Sequence, residues 1–337
     1  MRNETNETKK TKRTKETKGA KEPNATNQPN KPPAADPTPR LDAHHHLWDT
    51  GTGTDTATAT DSSTATDSAA TTTHTYPWMD GPWADPLRGR FGPAELTVAT
   101  GPGAATIAVQ ARTDTHETRE LLAIAADPRT PVVAVVGWVD LTRPDVADQI
   151  AELRSAPGGR HLVGVRHFVQ DEPDPRWLLR PDVERSLAAL TTAGLTYDLL
   201  VKPAQLPAAI EVAQRHPELS FVLDHLGKPE IGAGTWQPWA DTIARLAALP
   251  NVSVKLSGLV TEADWRHWTI DRLLPYGRHA LARFGANRTM FGSDWPVCTL
   301  AASYDTVVSV ADRVCAELSA AERAHVFGAT ARRVYGC

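Results

Sequence analysis

Residues 41–49 read LDAHHHLWD, and within them His44 and His46 stand two apart at the end of a short apolar run. Residues two apart on a strand share a face, so the two imidazoles are expected to aim at one point. Convergent imidazoles suit a metal ion or a polarised carbonyl; the competing reading of three adjacent histidines is a surface run. Polar residues of catalytic type recur at the ends of later apolar runs. Trp138 and Asp140 follow VVAVVG, Arg166 and His167 close LVGVRH, Asp224 and His225 follow FVL, Lys255 and Ser257 lie in VKLS, and Asp294 sits in GSDWP.

The elements that would position these residues can be read from hydrophobic patterning. Apolar, β-branched runs occur at Leu41–His46, Ala105–Val109, Val132–Val139, Leu162–Phe168, Thr196–Val201, Phe221–Leu226, Val252–Leu256 and Thr289–Gly292. Helical patterns lie between them at His116–Ala126, Pro144–Ser155, Asp182–Ala193, Leu206–Arg215, Trp239–Ala248, Leu273–Phe284 and Tyr304–Leu318. Strands alternating with helices predict a parallel sheet with crossover helices. Eight such units predict an α/β fold, a (β/α)8 TIM barrel over residues 39–337 as a single domain, since such barrels need about 250 residues plus insertions. An open doubly wound sheet is the runner-up, but no Gly-x-Gly-x-x-Gly follows the first strand. Barrel chemistry sits at the C-terminal ends of strands, which is where the polar residues above fall.

Two segments lack such patterning. Residues 1–38 are Lys, Thr, Asn, Glu and Pro with almost nothing apolar, and are expected to be a disordered tail because they cannot bury enough surface to offset their ordering entropy. Residues 51–75, GTGTDTATATDSSTATDSAATTTHT, read as a flexible insertion after the first strand, with a lid as the alternative. The net charge of −4 and pI near 6.3 give no general attraction to nucleic acid or anionic membrane. Cys298, Cys315 and Cys337 are too few and scattered for a disulfide framework or a thiolate zinc cluster. With no membrane-length apolar run and no secretory signal core, the expectation is a cytoplasmic protein.

DAHHHLWD, GVRHFVQDEPDPRWLLRPDV, FVLDHLGKP, VKLSGLVTEADW and MFGSDWPVC, in that order, resemble the amidohydrolase superfamily. More narrowly, they resemble its amidohydrolase-2 branch of L-fuconolactonase-like and L-rhamnonolactonase-like sugar lactonases. The likeness runs from Leu41 to Tyr335. It implies that His44, His46, His225 and Asp294 take the superfamily's core positions and that Arg166 and His167 face the substrate. Binuclear members carry a carboxylated lysine or glutamate after strand 4 and a histidine after strand 5; this chain offers Arg166 and His167, then Tyr197, Asp198 and Lys202. A two-metal centre is therefore not expected. One divalent ion, such as zinc, held by His44, His46 and Asp294 remains open beside metal-free chemistry, and the reading leans to the second.

Lactone hydrolysis needs an activated water, a clamp on the carbonyl and a proton for the leaving alkoxide. Asp294 suits the proton transfers, and His44, His46, His225 or Arg166 suit the developing oxyanion. Trp48, Trp138, Trp177 and Trp295 offer flat walls to a sugar ring, with core packing the preferred reading for Trp138. Lys255 is either a substrate contact or the partner of an acidic neighbour, and Cys298 reads as a buried small residue. The expected activity is hydrolysis of a small-molecule sugar lactone in carbohydrate catabolism, with the homo-oligomeric state open. The alternatives are a metal-dependent decarboxylase acting on a small carboxylic acid and a non-catalytic barrel scaffold.

Overall fold

The computed structural model of the protein describes residues 40–51 and 76–337. The expectations for residues 1–38 and for 52–75 fall outside the described residues. Eight strands form one parallel sheet in sequential order: β1 (Leu41–His45), β2 (Ala105–Val109), β3 (Val132–Gly137), β4 (Leu162–His167), β5 (Thr196–Leu199), β6 (Phe221–Leu223), β7 (Val252–Leu256) and β8 (Thr289–Phe291). The sheet curls until its edges meet. His46 N donates to Trp295 O at 2.7 Å and Asp294 N donates to His44 O at 2.8 Å, with a parallel bridge between His45 and Trp295. The seam thus closes at the strands' C-terminal ends, between the two segments that carry His44, His46 and Asp294.

Helices α1 (Pro93–Thr100), α2 (Thr115–Ala126), α3 (Val146–Ser155), α4 (Pro181–Ala193), α5 (Leu206–Arg215), α6 (Trp239–Ala247), α7 (Ile270–Phe284), α8 (Tyr304–Val314), α9 (Ala320–Ala324) and α10 (Thr330–Tyr335) surround the sheet. Their starts are coded locally. Pro181 occupies the first turn of α4, where its missing N–H costs nothing, and the Ser303 side chain caps α8 by accepting from Thr306 N. Outward strand residues such as Val135, Val165, Phe221 and Val254 pack against Leu122, Leu153, Leu190 and Leu246 of the helices. Each such side chain contributes roughly 1.5–3 kcal/mol on burial. A second apolar cluster joins strand residues Leu41, Ala43, Ile107, Val109, Ala134, Val136, Val222 and Met290 to Ala331 and Tyr335 of α10. No helix among the described residues is long and apolar enough to cross a membrane.

Several strands end sooner than hydrophobicity predicts. β6 stops at Leu223, not Leu226, because the chain turns through left-handed backbone at His225 (φ 50°) and Leu226 (φ 55°). Apolar character persists through that turn because Leu226 is itself fully buried. Helix α1 was not expected, and the Trp- and Pro-rich segment between Tyr76 and Leu87 forms two 3-10 turns. A small antiparallel pair, Trp48–Asp49 with Arg90–Phe91, ties that segment to the end of β1.

Candidate active site

His44 and His46 of the first motif reach one point. His46 Nδ1 lies 2.8 Å from Val109 O. A carbonyl only accepts, so Nδ1 carries the hydrogen and Nε2 presents a lone pair. The Nε2 atoms of His44 and His46 are 3.2 Å apart. Burial drives His46 down to about 3, with Arg166 adding to the effect. Burial likewise takes His44 well below its ordinary value, against the opposing pull of Asp224. Both rings are therefore neutral at physiological pH. His45, between them, is fully buried and its ring nitrogens make no hydrogen bond.

His225 and Asp294 complete the cluster from strained backbone. Asp294 has φ 59°, like His225 a non-glycine residue in left-handed space, and such strain concentrates where surrounding structure dictates a side chain's aim. His225 Nδ1 is 2.9 Å from Ser257 Oγ. Asp294 Oδ1 lies 3.6 Å from His46 Nε2, 3.8 Å from His44 Nε2 and 3.9 Å from His225 Nε2. Burial raises the Asp294 carboxyl above its usual value, with His225, Lys228 and Arg166 opposing. Burial takes His225 down to about 4. Two glycines make this crowding possible. A Cβ on Gly292 would stand 2.7 Å from His44 Cβ, and one on Gly258, whose φ is +70°, would stand 2.7 Å from His225 Cβ.

Beneath and beside the cluster lies a buried charge network. Lys255 Nζ is 2.6 Å from Asp198 Oδ2, 3.0 Å from Asp224 Oδ1 and 3.1 Å from His44 Nδ1. Tyr335 OH donates to Asp198 Oδ2 at 2.8 Å. Arg166 NH1 donates to Asp224 Oδ2 at 3.0 Å and approaches His44 Nε2 at 3.3 Å. Burial would push Asp224 up, but Lys255, His44 and Arg166 outweigh it and hold the carboxyl well below the carboxylate range. Asp198 moves the other way, raised by burial despite Lys255.

The other expected residues divide. Arg166 and Lys255 belong to the network, Lys255 as the partner of acidic neighbours. His167, adjacent on β4 and so facing away from Arg166, is engaged elsewhere: Nδ1 accepts from Trp138 Nε1 at 3.1 Å, Nε2 faces Glu172 Oε1 at 2.7 Å, and its ring stacks on Trp177 with centroids 4.4 Å apart. Trp48 stacks on His46 with centroids 6.0 Å apart, and Trp295 is buried against Phe91. Cys298 is buried and its thiol is pushed up by burial. Asp224, a strand-end residue of the sequence reading, is bound by Arg166 and Lys255, whereas Asp198 and Gln110, the latter accepting from Arg166 Nε at 3.1 Å, carried no expected role in the site. The available signal was a charge inside an apolar run, as in TYDLL, with nothing in the sequence to name its partner.

The donor set also fits a metal ion. His44, His46 and Asp294 offer three donor atoms with edges of 3.2, 3.6 and 3.8 Å, compatible with zinc bonds of about 2.0–2.2 Å. The neutral imidazoles supply lone pairs, as such ligation requires. A second grouping, His44, Asp224 and His225, shares His44, but its carboxylate is already committed to Arg166 and Lys255.

Comparison with known proteins follows the same outline. The profile of the amidohydrolase family matches residues 41–337. The L-fucono-1,5-lactonase of Burkholderia multivorans is 40% identical over 314 residues, covering 88% of this chain and 95% of its own. The L-fucono-1,5-lactonase of Burkholderia ambifaria is 36% identical over 307 residues with the same coverage, 88% and 95%. A crystal structure of an amidohydrolase from Burkholderia multivorans, with bound zinc, superposes with a TM-score of 0.76 at 39% identity, covering 89% of this chain and 99% of that one.

Proposed function

The chain belongs to the amidohydrolase family, and from that premise we propose that it opens a sugar-derived lactone of the L-fuconolactone type to the aldonic acid. The observation that carries this is the convergence of three neutral imidazole Nε2 atoms within 3.9 Å of one buried carboxylate oxygen of Asp294. The relatives described as L-fucono-1,5-lactonases support the substrate class.

In the reaction, Asp294 accepts a proton from water as the water oxygen bonds to the lactone carbonyl carbon. The ring C–O bond then breaks, and Asp294 returns the proton to the departing ring oxygen. The products are a hydroxyl and a carboxylic acid, so no atom or electron is left over. A carboxyl raised by burial suits both halves of this cycle, because it holds the proton more readily than an exposed aspartate. Arg166 NH1 lies beside His44 Nε2 and is the fixed donor for the developing oxyanion. His225, held through Nδ1 by Ser257, presents Nε2 to the same space. Trp48 backs His46 as an apolar wall. When bound at His44, His46 and Asp294, a zinc ion would supply carbonyl polarisation and a more acidic water.

A panel of five- and six-membered lactones of 6-deoxy sugars, followed by proton release with and without chelator, tests the proposal. Turnover of at least one lactone is expected. In the chelator arm, a loss that zinc restores assigns the carbonyl clamp to the ion, and undiminished turnover assigns it to Arg166. Absence of lactone turnover, with carbon dioxide released from an aromatic acid, refutes it. A role in carbohydrate catabolism would follow from such an activity.

A further inference from the structure

Arg166 meets His44 and Asp224 with one edge of its guanidinium, and the other edge is gripped by a single residue. Arg166 Nε and NH2 donate to Gln110 Oε1 at 3.1 and 2.9 Å, and NH2 donates also to Gln110 O. Gln110 is the first residue after β2, so its place depends on the turn that follows. That turn is pinned from below: Glu117, in the first turn of α2, accepts through Oε2 from Ala111 N at 2.9 Å and Arg112 N at 2.8 Å. Gln110 Nε2 closes the loop on Arg112 O at 3.0 Å. The same turn carries a second load, since Trp78 Nε1 donates to Ala111 O at 2.8 Å and the Trp78 ring packs edge-on to Trp48, which stacks on His46. Glu117 is 2% exposed, a burial rare for a glutamate without such a duty.

Resting on the lactonase reading above, we infer that Glu117 is a positioning residue: through the 110–112 turn it sets both the oxyanion-side guanidinium of Arg166 and the indole wall formed by Trp78 and Trp48. It touches no reacting atom. Its removal frees two backbone N–H groups, that of Ala111 buried and that of Arg112 part-buried, and the turn relaxes to satisfy them. Displacement of a catalytic group by about 1 Å costs on the order of 100-fold in rate. Burial pushes the Glu117 carboxyl up to about 8, so a neutral amide oxygen is a close substitute as the acceptor.

The test compares E117A and E117Q by steady-state kinetics and by NMR of the Arg166 Nε–H, which is buried and bonded to Gln110 in the wild type. E117A is expected to lower kcat/KM by roughly 10- to 100-fold, and E117Q to stay within about 3-fold of wild type. In an R166K background the E117A change should cost much less than it does alone, because the two act on one interaction. The Arg166 Nε–H should exchange slowly in wild type and E117Q and fast in E117A. Independent, multiplying effects of E117A and R166K, or an Nε–H equally protected in all three proteins, overturn the inference. A wild type inactive on every lactone refutes the activity instead, and the NMR comparison then decides the positioning role alone.

Discussion

Replacing Lys255 by methionine isolates what the buried network contributes. The ammonium has no exposure and lies 2.6 Å from Asp198 and 3.0 Å from Asp224. At an effective dielectric of about 20, each contact is worth about 6 kcal/mol in gross Coulomb energy. Most of that is offset by the cost of taking all three charges out of water, so the net worth of the network is small. Removing one member is another matter, because two carboxylates then stay buried, Asp224 beside Arg166 and Asp198 beside the Tyr335 hydroxyl. Loss of one partner of a buried pair costs about 3–5 kcal/mol, a large part of the roughly 5–15 kcal/mol that holds a domain together. K255M is therefore expected to unfold at markedly lower urea, measured by far-UV circular dichroism with linear extrapolation. Adding D198N removes one orphaned charge, and the double variant should recover a substantial part of the loss. If K255M stays within about 1 kcal/mol of wild type, or D198N adds its own cost instead of recovering stability, the reasoning that breaking a buried pair is expensive fails here.

Three further outcomes are expected. D294N should lose about 10²–10⁴-fold in kcat with thermal unfolding nearly unchanged, since asparagine keeps the shape but cannot take a proton; turnover and unfolding are measured on one preparation, and a variant above a tenth of wild-type turnover removes Asp294 from the proton path. G292A should lose about 1–3 kcal/mol by overpacking and lose activity with it, because its Cβ would stand 2.7 Å from His44 Cβ; unchanged urea midpoint and turnover count against that crowding. Glu117, raised by burial from 4.5 to about 8, keeps a proton in the folded state that the unfolded chain gives up. Its contribution to stability is thus full below pH 4.5 and lost as pH rises toward 8, by up to about 1.4 kcal/mol per unit. E117Q should lack that slope, and parallel curves for the two proteins between pH 5 and 8 would refute the assignment.

The barrel was legible because its strands, apart from positions such as the exposed Val133, are buried on both faces and read as apolar runs, broken by helical stretches of the right length. The first β-to-α connection was not, because helix α1 and the 3-10 turns of Pro77–Met79 and Pro82–Leu87 carry no sustained period. In the site, what could be read was position: a polar residue ending an apolar run sits at the barrel mouth. What could not be read was partnership. Lys255 and Asp198 stand 57 residues apart, and only the side-by-side pairing of β5, β6 and β7 brings them within 2.6 Å. His167 and Arg166 look alike as nitrogen-bearing strand-end residues, yet one is tied to Trp138 and Glu172 and the other enters the His44 network. Strand alternation separates that pair, and it separates the histidine triplet as well. Residues of one type at 44, 45 and 46 meet two environments: 44 and 46 face each other across 3.2 Å, while 45 is buried with no hydrogen bond to its ring. Period two is thus enough to choose the two histidines whose rings meet. It says nothing of Asp224 and Lys255, which set His44 beside a buried anion and a buried cation at once.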